Sequence, residues 1–329
     1  MRKVSTKKIT SIGGSALIEG IMMRGPKRTT VCVRTGENEI YSEDIKMTTI
    51  PEKCKLFKLP LLRGIAGLID SMRLSYKSLM LSADKAVEAG EVEEEEPSKF
   101  EKWLDEKFGD KLVKVIMVFA SILGVALAVG LFFFLPSFLF DLTANVVPVF
   151  QGDGESAVFW KSVFEGVLKI ALFLGYIVLC SQMTEMKRVF MYHGAEHKTI
   201  FCYENEEELT VENVRKQIRF HPRCGTSFMV LMLIVGIVIG LFIPVAPFGI
   251  GFLRPVFKIL LLPVSCGVGY ELIKICGKHD NAFTRIIAAP GLWAQRITTK
   301  EPDDKMIEVA IEAMKAVIPD DGTDIINNK

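Results

Sequence analysis

The stretch VIMVFASILGVALAVGLFFFLPSFLF, Val115 to Phe140, runs for 26 residues without one ionisable side chain. A helix needs roughly 20 apolar residues to cross the hydrocarbon core of a bilayer, so this run predicts a transmembrane helix and decides the fold class. Working outward, Gly225–Leu253 is a second uncharged run, in which Pro244 and Pro247 are expected to end the helix near Ile243. Val163–Met183 carries Glu165 and Lys169 near one end, and Val256–Ile275 carries Lys258 at one end with Glu271 and Lys274 at the other. Charges near helix ends can snorkel to the interface, so both read as further spans. The competing reading of either is a buried or re-entrant segment. The expected architecture is a polytopic α-helical membrane protein with about four transmembrane helices and a small α+β cytosolic N-terminal domain.

Composition agrees with that segregation. Half of the 329 residues are hydrophobic, and the mean hydropathy is +0.31, high for a soluble chain. Forty basic and 39 acidic side chains give a net charge of +1, so no global field recommends nucleic acid as a partner. Seven scattered cysteines contain no Cys-x-x-Cys pair, which fits reduced thiols better than a disulfide framework. The N-terminus MRKVSTKKITSIGG is basic but is followed by no apolar run of signal-peptide length.

Basic residues orient the bundle. The 141–162 connection holds only Lys161 and the 244–255 connection only Arg254, whereas 184–224 holds Lys187, Arg188, Lys198, Arg215, Lys216, Arg219 and Arg223. The N-terminus, the 184–224 loop and the C-terminal tail are therefore expected on the cytosolic side of a multi-pass membrane protein. The expected organisation is a cytosolic α+β region at 1–89, an acidic linker at 90–98 and an interfacial helix with the first transmembrane hairpin at 99–183. A cytosolic loop at 184–225, a second transmembrane hairpin at 226–276 and a cytosolic tail at 277–329 follow. Charges inside the spans are few and terminal, which argues against a proton-coupled transporter.

In the polar regions, Thr29–Thr35 is rich in β-formers, Gly36–Asn38 is a turn signal and Glu39–Ile45 alternates. From Leu61 to Met80 apolar residues recur at helical spacing, predicting an amphipathic helix that either covers the small sheet or lies on the membrane surface, the former being preferred. Residues 90–98, GEVEEEEPS, form an extended tether, and Phe100, Trp103, Leu104 and Phe108 line an interfacial helix. Pro302 opens an amphipathic helix with Met306, Ile307, Ala310, Ala313, Met314 and Val317 on one face.

The chemistry concentrates in HGAEH, His193–His197. On a helix, positions i and i+4 share a face, so both imidazoles can reach one metal ion. His-x-x-Glu-His is the inverted zincin order, in which the Glu, here Glu196, is the general base. HPRCG adds His221 and Cys224 in the same loop. Four protein ligands would close a tetrahedral structural site, whereas catalysis needs an open position. Cys224 is the ligand to release first, leaving His193, His197 and His221. His279, in GKHDNAFTR, is a bystander. GGSALIEGIMMRGP, Gly13 to Pro26, matches neither the dinucleotide fingerprint nor the P-loop. It reads as turns around a strand, or as a means of bringing Glu19 and Arg24 to the histidine loop as a ligand or substrate clamp.

GGSALIEGIMMRGP, YHGAEHKTIFCYE, HPRCGTSF and PGLWAQRITTKEPDD, in this order, resemble the YqhQ-like family of bacterial membrane proteins. That family is a domain of unknown function whose members are labelled predicted metal-dependent enzymes. The resemblance runs from Ile12 to Ala316, with Glu93–Glu96 as a variable insert. It implies interest in Glu19 and Arg24, in His193, Glu196 and His197, and in His221 and Cys224. It also implies a role around membrane-protein synthesis, because such genes often neighbour translation-termination genes. Two functions stay open. One is a metal-dependent hydrolase, with zinc as the expected ion, acting at the inner membrane surface. The other is a non-enzymatic assembly or scaffold factor whose His/Cys cluster is structural. The expected partners are the lipid bilayer and other membrane or translation-linked proteins.

Overall fold

A computed structural model describes residues 7–90, 115–116, 118–144, 146–151, 154–278 and 281–328. The acidic tether beyond Gly90, the aromatics Phe100, Trp103, Leu104 and Phe108, and His279 lie outside the described residues. The chain is mostly helical and divides into two compact units, one formed by 1–92, 174–232 and 263–329, the other by 93–173 and 233–262.

The first unit carries the small sheet. Strands β1 (Lys8–Thr10), β2 (Gly13–Leu17), β3 (Gly20–Arg24), β4 (Thr29–Arg34) and β5 (Ile40–Asp44) come first in the chain. β2 to β5 form an antiparallel meander in sequence order, with Gly14 opposite Met23 and Ile21 opposite Cys32, while β1 pairs with the C-terminal β6 (Ile325–Asn328). The alternation of the strands separates two cores. Ile21, Met23 and Cys32 join one cluster, and Leu17, Met22, Val31, Val33 and Ile45 join the other with Leu74. Helix α1 (Ile50–Lys53) leads into α2 (Leu62–Glu88), whose Leu74 closes the second core. The sheet is thus covered by α2, as preferred from the sequence.

Two helices, α3 (Val118–Ala144, with a π-type turn at Gly130–Phe134) and α4 (Glu155–Cys180), are long and apolar enough to cross a membrane. The polar loop then gives α5 (Thr184–Glu204) and α6 (Val211–Lys216), the latter capped by the Thr210 hydroxyl, which accepts from Asn213 N at 3.3 Å. Apolar helices α7 (Gly225–Gly240), α8 (Leu253–Leu260) and α9 (Leu262–Lys278) follow, then α10 (Ala282–Thr298) and α11 (Asp304–Val317). In α11 the Asp303 side chain accepts from Met306 N at 2.9 Å, a cap that replaces the expected opening at Pro302. Met306, Ile307, Ala310, Ala313, Met314 and Val317 are all buried, and they pack with Tyr192 and Ala195 of α5 and the strand residues of the first core.

The expectation of four spans meets a coarser result: among the described residues two helices are long and apolar enough to cross a membrane, or three if α8 and α9 are one broken span. α7, at 16 residues, is shorter than the roughly 20 needed. Beyond Gly240 the chain goes on in i→i+3 turns as far as Ile243, just before Pro244, and Arg254, fully buried, ties this end down: Nη2 donates to Gly240 O at 3.1 Å, and Nη1 donates to Pro244 O at 2.8 Å and also to Ile243 O. The break at Leu261 has its cause in Pro263, which has no N–H to continue the ladder.

Charges in the second unit do not reach outward as the sequence suggested. Glu165, 2% exposed, pairs with Lys258 and lies 3.6 Å from Arg254 Nε, and Arg254 Nη2 donates to Ser162 Oγ at 2.7 Å. Lys161, fully buried, meets Asp141. The sides of α4 and α7 that face each other meet at Gly166, where a Cβ would collide with Ile237, so only glycine permits this approach.

Candidate metal centre

α5 projects the histidines of HGAEH along one side. His193 Nδ1–H donates to Thr298 O at 2.8 Å, and His197 Nδ1–H donates to Arg219 O at 2.6 Å. Both carbonyls fix the tautomer, leaving each Nε2 with a free lone pair. Cys224 Sγ lies 3.1 Å from His193 Nε2 and accepts from Thr226 N at 3.4 Å, just before the first turn of α7. Ligand atoms of His193, His197 and Cys224 all lie within 4.8 Å of one another. Among the described residues, this is the group that could hold a metal ion.

His221 is not in it. Its ring stacks 5.5 Å from His197 and 4.8 Å from Phe201, but Nε2 faces Glu204 at 3.8 Å. Glu204 is also claimed by Arg223 and by Thr10 N, the latter at 2.9 Å. The sequence ranked His221 ahead of Cys224 as third ligand; the close group of ligand atoms contains Cys224 and not His221.

Glu196 stands beside the triplet. Its Oε2 is buried and makes no hydrogen bond within the protein. A Cβ at position 14 would sit 3.1 Å from the Glu196 Cδ, so Gly14 of β2 leaves room for this carboxyl. Burial pushes the Glu196 carboxyl up to about 7, with His193 pulling it down and Cys224 raising it further. Burial disfavours the Cys224 thiolate, yet His197 and the Thr226 amide outweigh it and hold the thiol below its ordinary range. Burial lowers His197 and keeps it neutral, the form a metal requires. All four residues line an open cleft of about 1630 Å³, which Arg24 of β3 also lines.

A family model described as a protein of unknown function, DUF1385, matches residues 59–320. The chain belongs to that family. An uncharacterised protein of Bacillus subtilis (strain 168), YqhQ, is 34% identical over 312 residues, covering 93% of this chain and 92% of its own length. No solved structure matches.

In this DUF1385 chain, Gln295, Arg188 and Tyr192 help to build the site without having been singled out for it from the sequence, whereas Glu19 was. Gln295 of α10 clamps HPRCG: its Oε1 accepts from His221 N and its Nε2 donates to His221 O, both at 2.7 Å, with Ser227 Oγ a third partner at 2.8 Å. Glu19, in the two-residue β2–β3 turn with φ 49°, takes both guanidinium nitrogens of Arg188 and the Tyr192 hydroxyl, pinning the hairpin to α5 one turn before His193. Glu19 is therefore a strut, while Arg24 faces the cleft. The only sequence signal for Gln295 was its place inside PGLWAQRITTKEPDD, where a neutral polar side chain stands among apolar neighbours.

Proposed function

We propose that this protein is a metal-dependent hydrolase of the bacterial inner membrane, with zinc held by His193, His197 and Cys224 and Glu196 as general base. The observation that carries the reading is the buried, unpartnered Glu196 Oε2 lining the same cleft as two histidines whose Nε2 atoms are left free beside a thiol. The donor set fits: borderline-soft nitrogen and sulfur suit zinc, and three protein ligands leave a position open. An ion there supplies Lewis acidity toward water and toward a carbonyl or phosphoryl oxygen.

The chain's own residues do the rest. Thr298 O and Arg219 O hold the imidazoles in register, and the Thr226 amide supports the thiolate. Glu196, with a carboxyl near 7, can accept a proton from water and pass it to a leaving group at neutral pH. The substrate is a peptide or lipid headgroup presented at the membrane surface. The basic character of the 184–224 segment supports a site and both termini on the cytosolic side of a multi-pass chain. A structural zinc in an assembly factor is the second reading. The His221–Glu204–Arg223 contacts weigh against it, because they occupy the histidine that would complete a closed site.

The test compares the purified wild type with Glu196→Gln and His193→Ala. Wild type and Glu196→Gln should hold zinc stoichiometrically, and His193→Ala should lose it. Glu196→Gln should lower function in vivo by about 10²–10⁴-fold. A fully functional Glu196→Gln removes the hydrolase reading, and a wild type that binds no metal removes both.

A further inference from the structure

The face that α2 shows to the outside is the wrong one for a helix that only covers a sheet. Its buried positions are Gly64, Ala66, Asp70, Leu74, Ser78, Ser82 and Ala86, small or polar with one exception. Its large apolar side chains point away: Ile69 is 42% exposed, Met72 65%, Tyr76 68%, Leu79 42% and Met80 46%. At 100° per residue these five fall in one stripe, on the side opposite Leu74 and Ser78. The stripe continues into the preceding turn, where Leu56, Leu59 and Leu61 are exposed as well.

Two observations say what covers it. The first is charge. Between Lys53 and Lys77 the chain carries Lys53, Lys55, Lys58, Arg63, Arg73 and Lys77, against a single acid, Asp70. Asp70 is buried, accepts from Ile50 N at 2.8 Å and lies 3.7 Å from Arg73 Nη1, so of the outer cations it offsets Arg73 alone. Of these cations, Lys53, Lys55, Lys58, Arg73 and Lys77 are exposed. The second is continuity with an apolar helix. The start of α2 crosses α9 at Gly64 and Gly267: a Cβ on Gly64 would lie 2.8 Å from Tyr270 Cβ, and one on Gly267 would lie 2.8 Å from Leu61 O. Arg63 pairs with Glu271 at the same crossing. Glu271 and Lys274 mark where the apolar run of α9 meets polar surroundings, which is the depth of lipid headgroups.

We infer that α2 and its leading Lys53–Leu61 turn form an interfacial helix on an anionic lipid leaflet. The stripe Ile69, Met72, Tyr76, Leu79 and Met80 would enter the headgroup–acyl boundary, and the flanking lysines and arginines would meet lipid phosphates. The inference stands independently of any metal at the histidines. It also joins the two alternatives left open by the sequence: one side of the helix covers the sheet while the other side meets the membrane.

The experiment uses the full-length chain reconstituted in vesicles of phosphatidylcholine, with and without phosphatidylglycerol. A nitroxide is placed at position 76 through Tyr76→Cys in a Cys54→Ser background, and at position 84 through Asp84→Cys as a water-facing control. Background labelling of the remaining cysteines is subtracted with Cys54→Ser alone. With phosphatidylglycerol present, the label at 76 should relax several-fold more with oxygen than with a water-soluble nickel complex, and the label at 84 should show the reverse. Lys55→Gln combined with Lys58→Gln and Lys77→Gln should reduce that preference, and high salt should do the same. Equal nickel access at 76 and 84 overturns the inference. So does shielding of position 76 that disappears as the protein is diluted in lipid, which would assign the stripe to a second copy of the chain.

Discussion

Gln295 commits its amide to one backbone unit, the N–H and C=O of His221, and so sets the path of the chain that delivers Cys224 three residues later. A glutamine is the only uncharged side chain of this length that can donate and accept at once. Gln295→Ala should leave two buried backbone groups without partners at about 1–3 kcal/mol each, lowering the melting temperature and loosening Cys224. Thermal unfolding of the detergent-solubilised protein reads the first effect and thiol labelling at Cys224 reads the second. Unchanged values in both would show that the clamp is dispensable. At this scale the sequence exposed the two-histidine spacing, because i and i+4 on a helix share a side whatever surrounds them. It placed His221 ahead of Cys224 as third ligand, because nothing local shows that Arg223 and Glu204, the latter at the far end of α5 and 17 residues before His221, draw that ring aside.

Helix α5 owes its position to an absence of side chain. At Gly194 an added methyl would meet the carbonyl oxygen of Lys300, whose own N–H donates to Phe190 O at 2.8 Å. Gly194→Ala must push the 299–302 segment off the helix, and with it Thr298 O, the acceptor of His193. The expected outcome is a loss of about 1–3 kcal/mol in stability, together with weaker metal retention. Wild-type melting and wild-type metal content in the Gly194→Ala variant would contradict the close approach. Elements with strong periodicity were legible in advance: the α11 stripe, the Thr29–Asp44 strands and the α3 run all follow from side-chain pattern alone. Helix ends were not. Pro244 marked the end of α7 to within a few residues, but the Arg254 side chain that ties down Gly240 O and Pro244 O leaves no local signal.

For the whole first unit, acid should be destabilising, and the sign follows from two buried groups. Burial lowers His221 below its ordinary 6.5, despite the Glu204 carboxylate beside it. The unfolded chain therefore takes up this proton first, so the stability is complete above pH 6.5 and is lost as pH falls through that value. Glu204 is disfavoured as an anion by burial, but His221 and Arg223 prevail and hold it below its ordinary 4.5, so a second loss begins as pH falls past 4.5. Glu196, raised to about 7, acts in the opposite sense as pH falls from 7 to 4.5, so it is in the Glu196→Gln variant that melting temperatures followed from neutral pH downward should decline in these two windows. A flat profile would mean that neither group is held as described. The overall division into apolar helices and a small mixed domain was legible because hydropathy segregates along the chain. The number of candidate spans among the described residues was not, since Pro263 breaks one apolar stretch between α8 and α9.

Thr298, whose carbonyl orients His193, lies 105 residues after it, and the chain between includes α7, α8 and α9. During synthesis His193 therefore leaves the ribosome long before the carbonyl that aims it exists, whereas Arg219, which aims His197, follows that histidine by 22 residues. Until the Thr298 carbonyl arrives the His193 imidazole has no fixed direction, and the cluster comes together only once α10 folds back against α7. Such an order makes arrival of the C-terminal third the step that completes the arrangement of His193, His197 and Cys224.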